Sequence, residues 1–440
     1  MKHASPLALA VAPEARRTSF HLLSFEGPDH YARAGGIASR VSGLARGLAE
    51  LGYETHLWFV GDPEAPGNEQ EGSLFLHRWC QWLSRSCPLG VYQGEEQKVA
   101  EYGRSLPSFL MQFAIKDRIA AGERLVLMAE EWHTVPAVLE LDALLRREGL
   151  RDRVLVLWNA NNDFGFDRID WARLQTAAVI TTVSRYMKHR MWQLGVDPIA
   201  LPNGIEPEAL ASADPRALEE LRRRFQSRLL LAKVARWDPA KRWLLAIEGV
   251  AELKRIGQRP LLMARGGIEA HEREVLARCR ELGLRVIDRA DSAPGAKGLL
   301  DLLSALDAAD VVVSRSHLDR EARTLLFRGA DAVLANSGHE PFGLVGLETM
   351  AAGGVACTGS TGEDYAQDGL NALVMQTNQA HELASLLTWL RAVPAREQAL
   401  RLAARATARE YTWSRIIERA LLPRLHTLDN VATSPEPPTA

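Results

Sequence analysis

The run Asp331-Ala332-Val333-Leu334-Ala335-Asn336-Ser337-Gly338-His339-Glu340-Pro341-Phe342-Gly343-Leu344-Val345-Gly346-Leu347-Glu348 sets the frame for the whole chain. Its first five residues read as a short buried strand, since a brief apolar run bounded by polar residues suits a strand covered on both faces. A Pro-Phe-Gly turn follows, and then an apolar helix opens. Two carboxylates eight positions apart, Glu340 in the turn and Glu348 about two turns along, bracket that junction. Carboxylates accept hydrogen bonds from paired hydroxyls, and a helix N-terminus favours an anion. A ligand with both diols and phosphates, such as a nucleotide sugar, satisfies both halves. On these residues alone a plainer reading stands level with it: Glu340 favours the helix dipole and Glu348 lies on a solvated face.

Outward from this run, strand, turn and helix alternate along most of the chain. Strands are expected at Phe20 to Phe25, Thr55 to Val60, Leu125 to Met128, Val154 to Trp158 and Val179 to Val183. The pattern restarts with Leu229 to Ala235, Pro260 to Ala264, Val311 to Ser314, Ala332 to Ala335 and Val355 to Thr358. Short apolar strands separated by amphipathic helices predict parallel sheets covered on both faces. The expected organisation is an N-terminal tail over 1–17, a Rossmann-like domain over 18–205, a linker helix within 206–228 and a second Rossmann-like domain over 229–410. A crossover helix over 411–425 and a disordered tail over 426–440 complete it. Two doubly wound halves predict a ligand held in a cleft, at the carboxyl ends of both sheets.

Composition removes several function classes. At 440 residues the chain exceeds the size of one core. A formal net charge of −2 argues against a nucleic-acid footprint. Cys80, Cys87, Cys279 and Cys357 match no zinc or redox spacing, which predicts reduced thiols and a cytoplasmic protein. No apolar run reaches spanning length, and Leu7 to Val11 makes a poor signal peptide, so no integral membrane segment is expected.

Four constellations carry candidate chemistry. Arg33-Ala34-Gly35-Gly36 follows the first strand, and amides at the start of a helix can face a phosphate. Arg236-Trp237-Asp238-Pro239-Ala240-Lys241 follows the first strand of the second half, with two cations five positions apart that could clamp a diphosphate. Glu131-Trp132-His133-Thr134 places a histidine after an apolar strand, where such folds hold ligands. Asn159, Asn161 and Asn203 offer neutral hydrogen-bonding groups on one rim, as acceptor-side candidates. There is no Asp-x-Asp anywhere, so a carboxylate pair for a divalent metal on the diphosphate has no obvious source. No cofactor is expected.

On these motifs the chain, from about Ser19 to about Leu425, resembles retaining glycosyltransferases of the GT-B fold, family 4, with echoes of bacterial glycogen synthases. Glu340 to Glu348 reproduces the family's E-x7-E pattern with Phe342, Gly343 and Leu344 inside it. The resemblance implies that Glu340 faces the donor sugar and Glu348 the nucleotide ribose, and that Arg236 and Lys241 hold the diphosphate. It likewise implies a glycine loop at Gly35 and Gly36, with Arg33 where glycogen synthases carry Lys, and His133 near the reacting sugar. Tyr411-Thr412-Trp413-Ser414 resembles the start of a last helix that crosses back onto the first domain. The implied partners are a nucleotide-sugar donor and a hydroxyl acceptor, with the base, sugar, acceptor and oligomeric state undefined. Two alternatives keep the fold: a nucleotide-sugar epimerase and a non-catalytic sugar-nucleotide-binding subunit. Residues 64 to 122 match no family motif, and Trp79, Trp82, Tyr92 and Tyr102 there read as an acceptor surface or as plain packing.

Overall fold

A computed structural model of the chain describes residues 17–289, 293–306 and 308–433, with side chains through 428. It divides into two compact units. One is built from the chain up to Gly204 together with the segment from Trp413 onward, and the other from Ile205–Thr412.

The first unit contains β1 (Thr18–Leu23), β2 (Glu54–Val60), β3 (Asn68–Glu71), β4 (Leu74–Trp79), β5 (Arg124–Glu130), β6 (Val154–Ala160), β7 (Val179–Thr182) and β8 (Ile199–Ala200). They form one sheet in the order β3-β4-β2-β1-β5-β6-β7-β8. Every pairing is parallel except β3 with β4. The central strand β1 is buried along its whole length, as a strand covered by helices on both faces must be. Edge strand β3 is polar and fully exposed, a composition that discourages pairing with another chain.

The second unit contains β9 (Leu229–Val234), β10 (Pro260–Arg265), β11 (Val286–Arg289), β12 (Val311–Ser314), β13 (Ala332–Ala335), β14 (Ala356–Thr358) and β15 (Leu373–Val374). Its sheet is parallel throughout, in the order β11-β12-β10-β9-β13-β14-β15. The stretch expected as a linker helix is part of this unit. Helix Pro215–Phe225 buries Leu221 and Phe225 against Leu230, Leu326 and Phe327, because its apolar residues recur on one face.

The C-terminal segment crosses back to the first unit, and glycines explain how. Trp413 lies against the helix Gly36–Glu50, where a Cβ added at Gly43 would come within 1.9 Å of the indole Nε1. At Gly204 an added Cβ would meet the same ring at 2.6 Å, and at Gly47 it would meet Trp413 Cβ at 3.0 Å. Three glycines thus make a flat bed for one indole, which is 3% exposed. From there the chain stays helical to Thr433, so the tail expected from 426 continues the helix. Residues 434–440 and 1–16 lie outside the described residues.

The sequence pattern misses β3, β4, β8, β11 and β15, which are short, polar or alternate in burial. All four cysteines are buried free thiols. Among the described residues no helix is long and apolar enough to cross a membrane.

The indole bed makes a direct prediction. Gly43→Ala should lower stability by about 1–3 kcal/mol through overpacking. Gly36→Ala, where an added Cβ meets nothing within 4 Å, should change it by about 0.5 kcal/mol or less. Urea denaturation of both variants measures the difference.

Candidate functional site

In the second unit β9 and β13 are neighbours, so the loops at their carboxyl ends meet. After β9 the chain makes a short turn, Pro239–Lys241, capped by the Asp238 side chain on the Ala240 amide. After β13 the Gly338 amide donates to the Ala240 carbonyl at 2.8 Å and fixes one loop to the other. Across that junction Lys241 Nζ lies 2.5 Å from Glu340 Oε2, and Ser337 Oγ donates to the same oxygen at 3.0 Å. Arg236 stands apart from the pair. Its guanidinium is 72% exposed and its nearest carboxylate, Asp238, is 4.0 Å away.

The Pro-Phe-Gly turn behaves as its residues dictate. Gly343 takes φ +82°, a left-handed value that favours glycine, at the start of helix Leu344–Ala351. Phe342, expected at the donor, does not present its ring to a ligand. The ring is buried against Tyr365 and Tyr411, so it anchors the loop. Glu348 lies one face along the helix with Arg323 3.6 Å away, and burial raises its carboxyl above the ordinary range while Arg323 opposes that.

Two groups here have no sequence motif. Lys233, on β9, is fully buried and donates to the Leu334 carbonyl at 3.0 Å and Asn336 Oδ1 at 2.6 Å. Burial first, and then the nearby Lys241, push its ammonium down to about 7. Glu363 enters from the long turn Thr358 to Glu363, whose Gly362 amide donates to the Glu340 carbonyl at 2.9 Å. Its Oε2 accepts from the Thr361 amide and hydroxyl at 3.0 Å each, while its buried Oε1 has no partner. Burial and the charge of Glu340 push this carboxyl up to about 7. The turn's extra length therefore places a third carboxylate beside Glu340.

In the first unit the glycine loop differs from expectation. The Glu26 carboxylate already occupies it, accepting from the Gly35 amide at 3.0 Å, Ala38 at 3.1 Å and Ala34 at 3.3 Å. An internal anion thus satisfies part of the positive helix start. The amides of Gly36 and Ile37, at the first two helical positions, have no preceding helical carbonyl to bond. Neither packing nor positive φ requires Gly35 or Gly36 to be glycine. Arg33 is exposed and donates to the Pro28 carbonyl.

His133 is buried between aromatic rings, stacked on Phe25 at 4.5 Å and on Trp132 at 4.1 Å, with Tyr92 at 5.6 Å. Burial lowers its pKa although Glu95 pulls the other way. Nε2 is 2.8 Å from Glu95 Oε1. A carboxylate accepts, so the neutral ring carries its proton on Nε2 and leaves Nδ1 a bare acceptor; that atom is buried and unpartnered. Tyr92 donates to Glu26 Oε1 at 2.5 Å. The unassigned stretch 64 to 122 therefore supplies Tyr92 and Glu95 to this site. Tyr102 instead is core, donating to the Trp58 carbonyl, and Trp79 donates to Ser105.

The three asparagines come together, but as a polar core. Asn159 and Asn161 donate to Glu130 Oε2 at 2.9 and 2.7 Å, and Arg40 pairs with Glu130 at 3.1 Å while donating to Asn203 Oδ1 at 2.6 Å. Asn159 and Asn203 are buried, so as acceptor-side residues they have little left to offer; Asn161 keeps an unpartnered Oδ1. Beside them Glu131 takes φ +66°, a strained value for a non-glycine residue. Its carboxyl is held on the Asn161 amide at 2.6 Å and is pushed up to about 8, chiefly by burial.

Because its pKa is higher folded than unfolded, Glu131 stabilises the fold below about pH 4.5. That contribution is lost as pH rises through about 8. Glu131→Gln should flatten the fall in stability between pH 5 and 8.5, by on the order of 2 kcal/mol. Urea denaturation of both proteins at the two pH values reads this directly.

Residues 219–409 match the family model described as Glycosyl transferases group 1. The chain is 25% identical over 229 residues to a D-inositol 3-phosphate glycosyltransferase of Geodermatophilus obscurus, an alignment covering 51% of this chain and 47% of that protein. The chain thus spans about half the length of that relative. Among solved structures it resembles the catalytic domain of starch synthase IV from Arabidopsis thaliana bound to ADP and acarbose, with a TM-score of 0.65 and 13% identity over 94% of this chain and 99% of that one. Sucrose-phosphate synthase from Thermosynechococcus elongatus gives a TM-score of 0.63 and 16% identity, covering 94% and 100%. Residues 219–409 thus match the glycosyl transferases of group 1, and the two-sheet architecture is the GT-B fold shared with these neighbours.

Proposed function

We propose that the protein transfers a hexose from a nucleotide diphosphate sugar to a hydroxyl of a carbohydrate or small-molecule acceptor, with retention at the anomeric carbon and without a metal ion. The observation that carries this reading is the junction at the ends of β9 and β13. There Lys241 is already paired with Glu340 while the Arg236 guanidinium is left open to a ligand. An ion pair and an exposed guanidinium on the loops of one sheet edge, near a helix start, suit a diphosphate attached to a sugar. The match of residues 219–409 to group 1 glycosyltransferases, and the ADP and acarbose bound to the starch synthase of like fold, support the same reading.

In this proposal the bond from the anomeric carbon to the departing phosphate oxygen breaks. A bond to the acceptor oxygen forms on the same face, and the acceptor's proton passes to the phosphate oxygen. Arg236 and Lys241 stabilise the negative charge that grows on the diphosphate, and Glu340 positions the sugar hydroxyls. Glu348 takes the ribose hydroxyls. The absence of Asp-x-Asp leaves neutralisation to these cations and to backbone amides. His133 contributes a neutral acceptor nitrogen at Nδ1, suited to a hydroxyl and unsuited to an anion.

Lys241→Ala and Glu340→Gln should each lower kcat/KM by roughly 100-fold or more, with the circular dichroism spectrum unchanged. The assay monitors nucleotide release from UDP, ADP and GDP sugars across an acceptor panel, with EDTA present. Proton NMR of the new anomeric centre reports retention or inversion. Near-normal turnover by a folded Lys241→Ala protein would sink the assignment, and isomerised sugar from donor alone would replace it with an epimerase.

A further inference from the structure

The amino-terminal edge of the second sheet holds a cavity of about 700 Å³. Arg228 and Asp331 precede β9 and β13, and Gly353 precedes β14, whereas Arg236 and Glu340 follow β9 and β13. In a parallel sheet these are opposite edges, so the cavity is separate from the junction described above. Arg222, Arg228, Arg328, Arg391, Arg401 and Arg405 line it, against two carboxylates, Asp331 and Glu397.

The hydrogen bonds show how little of this charge is neutralised. Arg391 pairs with Asp331 at 3.1 Å and Arg401 with Glu397 at 2.8 Å. Most of the other arginine donors go to neutral carbonyls. Arg228 caps those of Leu306 and Pro260, and Arg401 reaches Ala330 at 3.0 Å and Gly353 at 3.2 Å. Arg328 also donates to Gly353, and Arg405 donates to Leu210 at 2.5 Å. A carbonyl satisfies a donor without cancelling its charge. Arg222 makes no hydrogen bond among the described residues. The crowding is visible in Arg328, whose pKa is pushed down to about 10 by burial and then by Arg401, Arg222 and Arg405. Leu218, Phe225 and Leu402 supply an apolar wall.

We propose that this cavity binds a phosphate ester of a small organic molecule, a sugar phosphate or a nucleotide, as a ligand distinct from the sugar donor. Guanidinium forks match phosphate oxygens, the apolar wall matches a ring, and the volume lies within the range of small-molecule sites. A bound dianion would offset the excess cations that now face one another. The geometry of the unliganded arginines is maintained by backbone carbonyls, so the site needs little reorganisation to accept it.

The test uses the full chain and three probes: inorganic pyrophosphate, a hexose bisphosphate and ADP. Affinity is measured by titration with thermal-shift readout, which follows ligand binding by mass action. The variants are Arg222→Ala, Arg222→Lys and a donor-edge double variant, Arg236→Ala with Lys241→Ala. At least one ester should bind the donor-edge variant as tightly as the wild type, more weakly at high salt. Arg222→Ala should weaken that binding fivefold or more, and Arg222→Lys should recover part of it. Arg222→Ala without ligand should melt no lower than wild type, because it removes a like charge and breaks no hydrogen bond. Binding unchanged by Arg222→Ala, or lost only in the donor-edge variant, overturns the proposal. Binding of pyrophosphate with neither ester overturns the assignment of an organic phosphate.

Discussion

Parallel pairing is the constraint from which the candidate site follows. A parallel strand cannot return through a tight turn; it needs a crossover, usually a helix, before the next strand begins. Every strand of the second sheet therefore ends on one edge, and the residues just past those ends gather there whatever their distance in sequence. Because β9 and β13 pair directly, Lys241 and Glu340, 99 positions apart, come within 2.5 Å. The same rule in the first unit brings Glu26 beyond β1 and His133 beyond β5 near one ring cluster, since β1 and β5 are neighbours.

What those edges then require is payment of desolvation for buried polar groups, and the chain meets it with internal carboxylates. Glu26 satisfies three amides, Glu130 holds Arg40 with two asparagines, and Glu131 holds the amides of Asn161 and Asn162. A buried ion pair such as Arg40–Glu130 adds little net stability by itself, but removing either partner leaves an uncompensated charge. These networks rigidify the loops beside His133. Among the buried polar atoms left without a partner in the described residues are His133 Nδ1, Trp132 Nε1 and Asn161 Oδ1 in the first unit and Asn336 Nδ2 and Glu363 Oε1 in the second.

The parallel α/β character was legible in the sequence because fully buried strands such as β1 and β12 read as continuous apolar runs. Lys241 and Glu340, which the structure pairs, were legible because strand–turn–helix patterns carry them just past two strands. Glu26, Tyr92, Glu95, Lys233 and Glu363 were not. Their importance comes from strand order and from what lies next to them in space, and Lys233 sits inside an apolar strand where only burial reveals it. Asn159 and Asn203 show the converse error, since polar residues after strands look like rim groups until Glu130 and Arg40 are seen to claim them. Helix Pro215–Phe225 read as a linker because its charges dominate, while Leu221 and Phe225 decide where it packs.

The helix Leu344–Ala351 gives the two edges of the second sheet a physical connection. It is eight residues long, so it spans about 12 Å, with a left-handed glycine at each end, Gly343 at φ +82° and Gly353 at φ +75°. At its start the Glu340 loop is fastened by Lys241, Ser337 and Gly362; past its end the Gly353 carbonyl accepts from both Arg328 and Arg401. The helix is short and well packed, since Leu347 and Met350 are fully buried. The helix thus ties the Gly353 turn and the loop that holds Glu340 into one packed piece of the second sheet's surround.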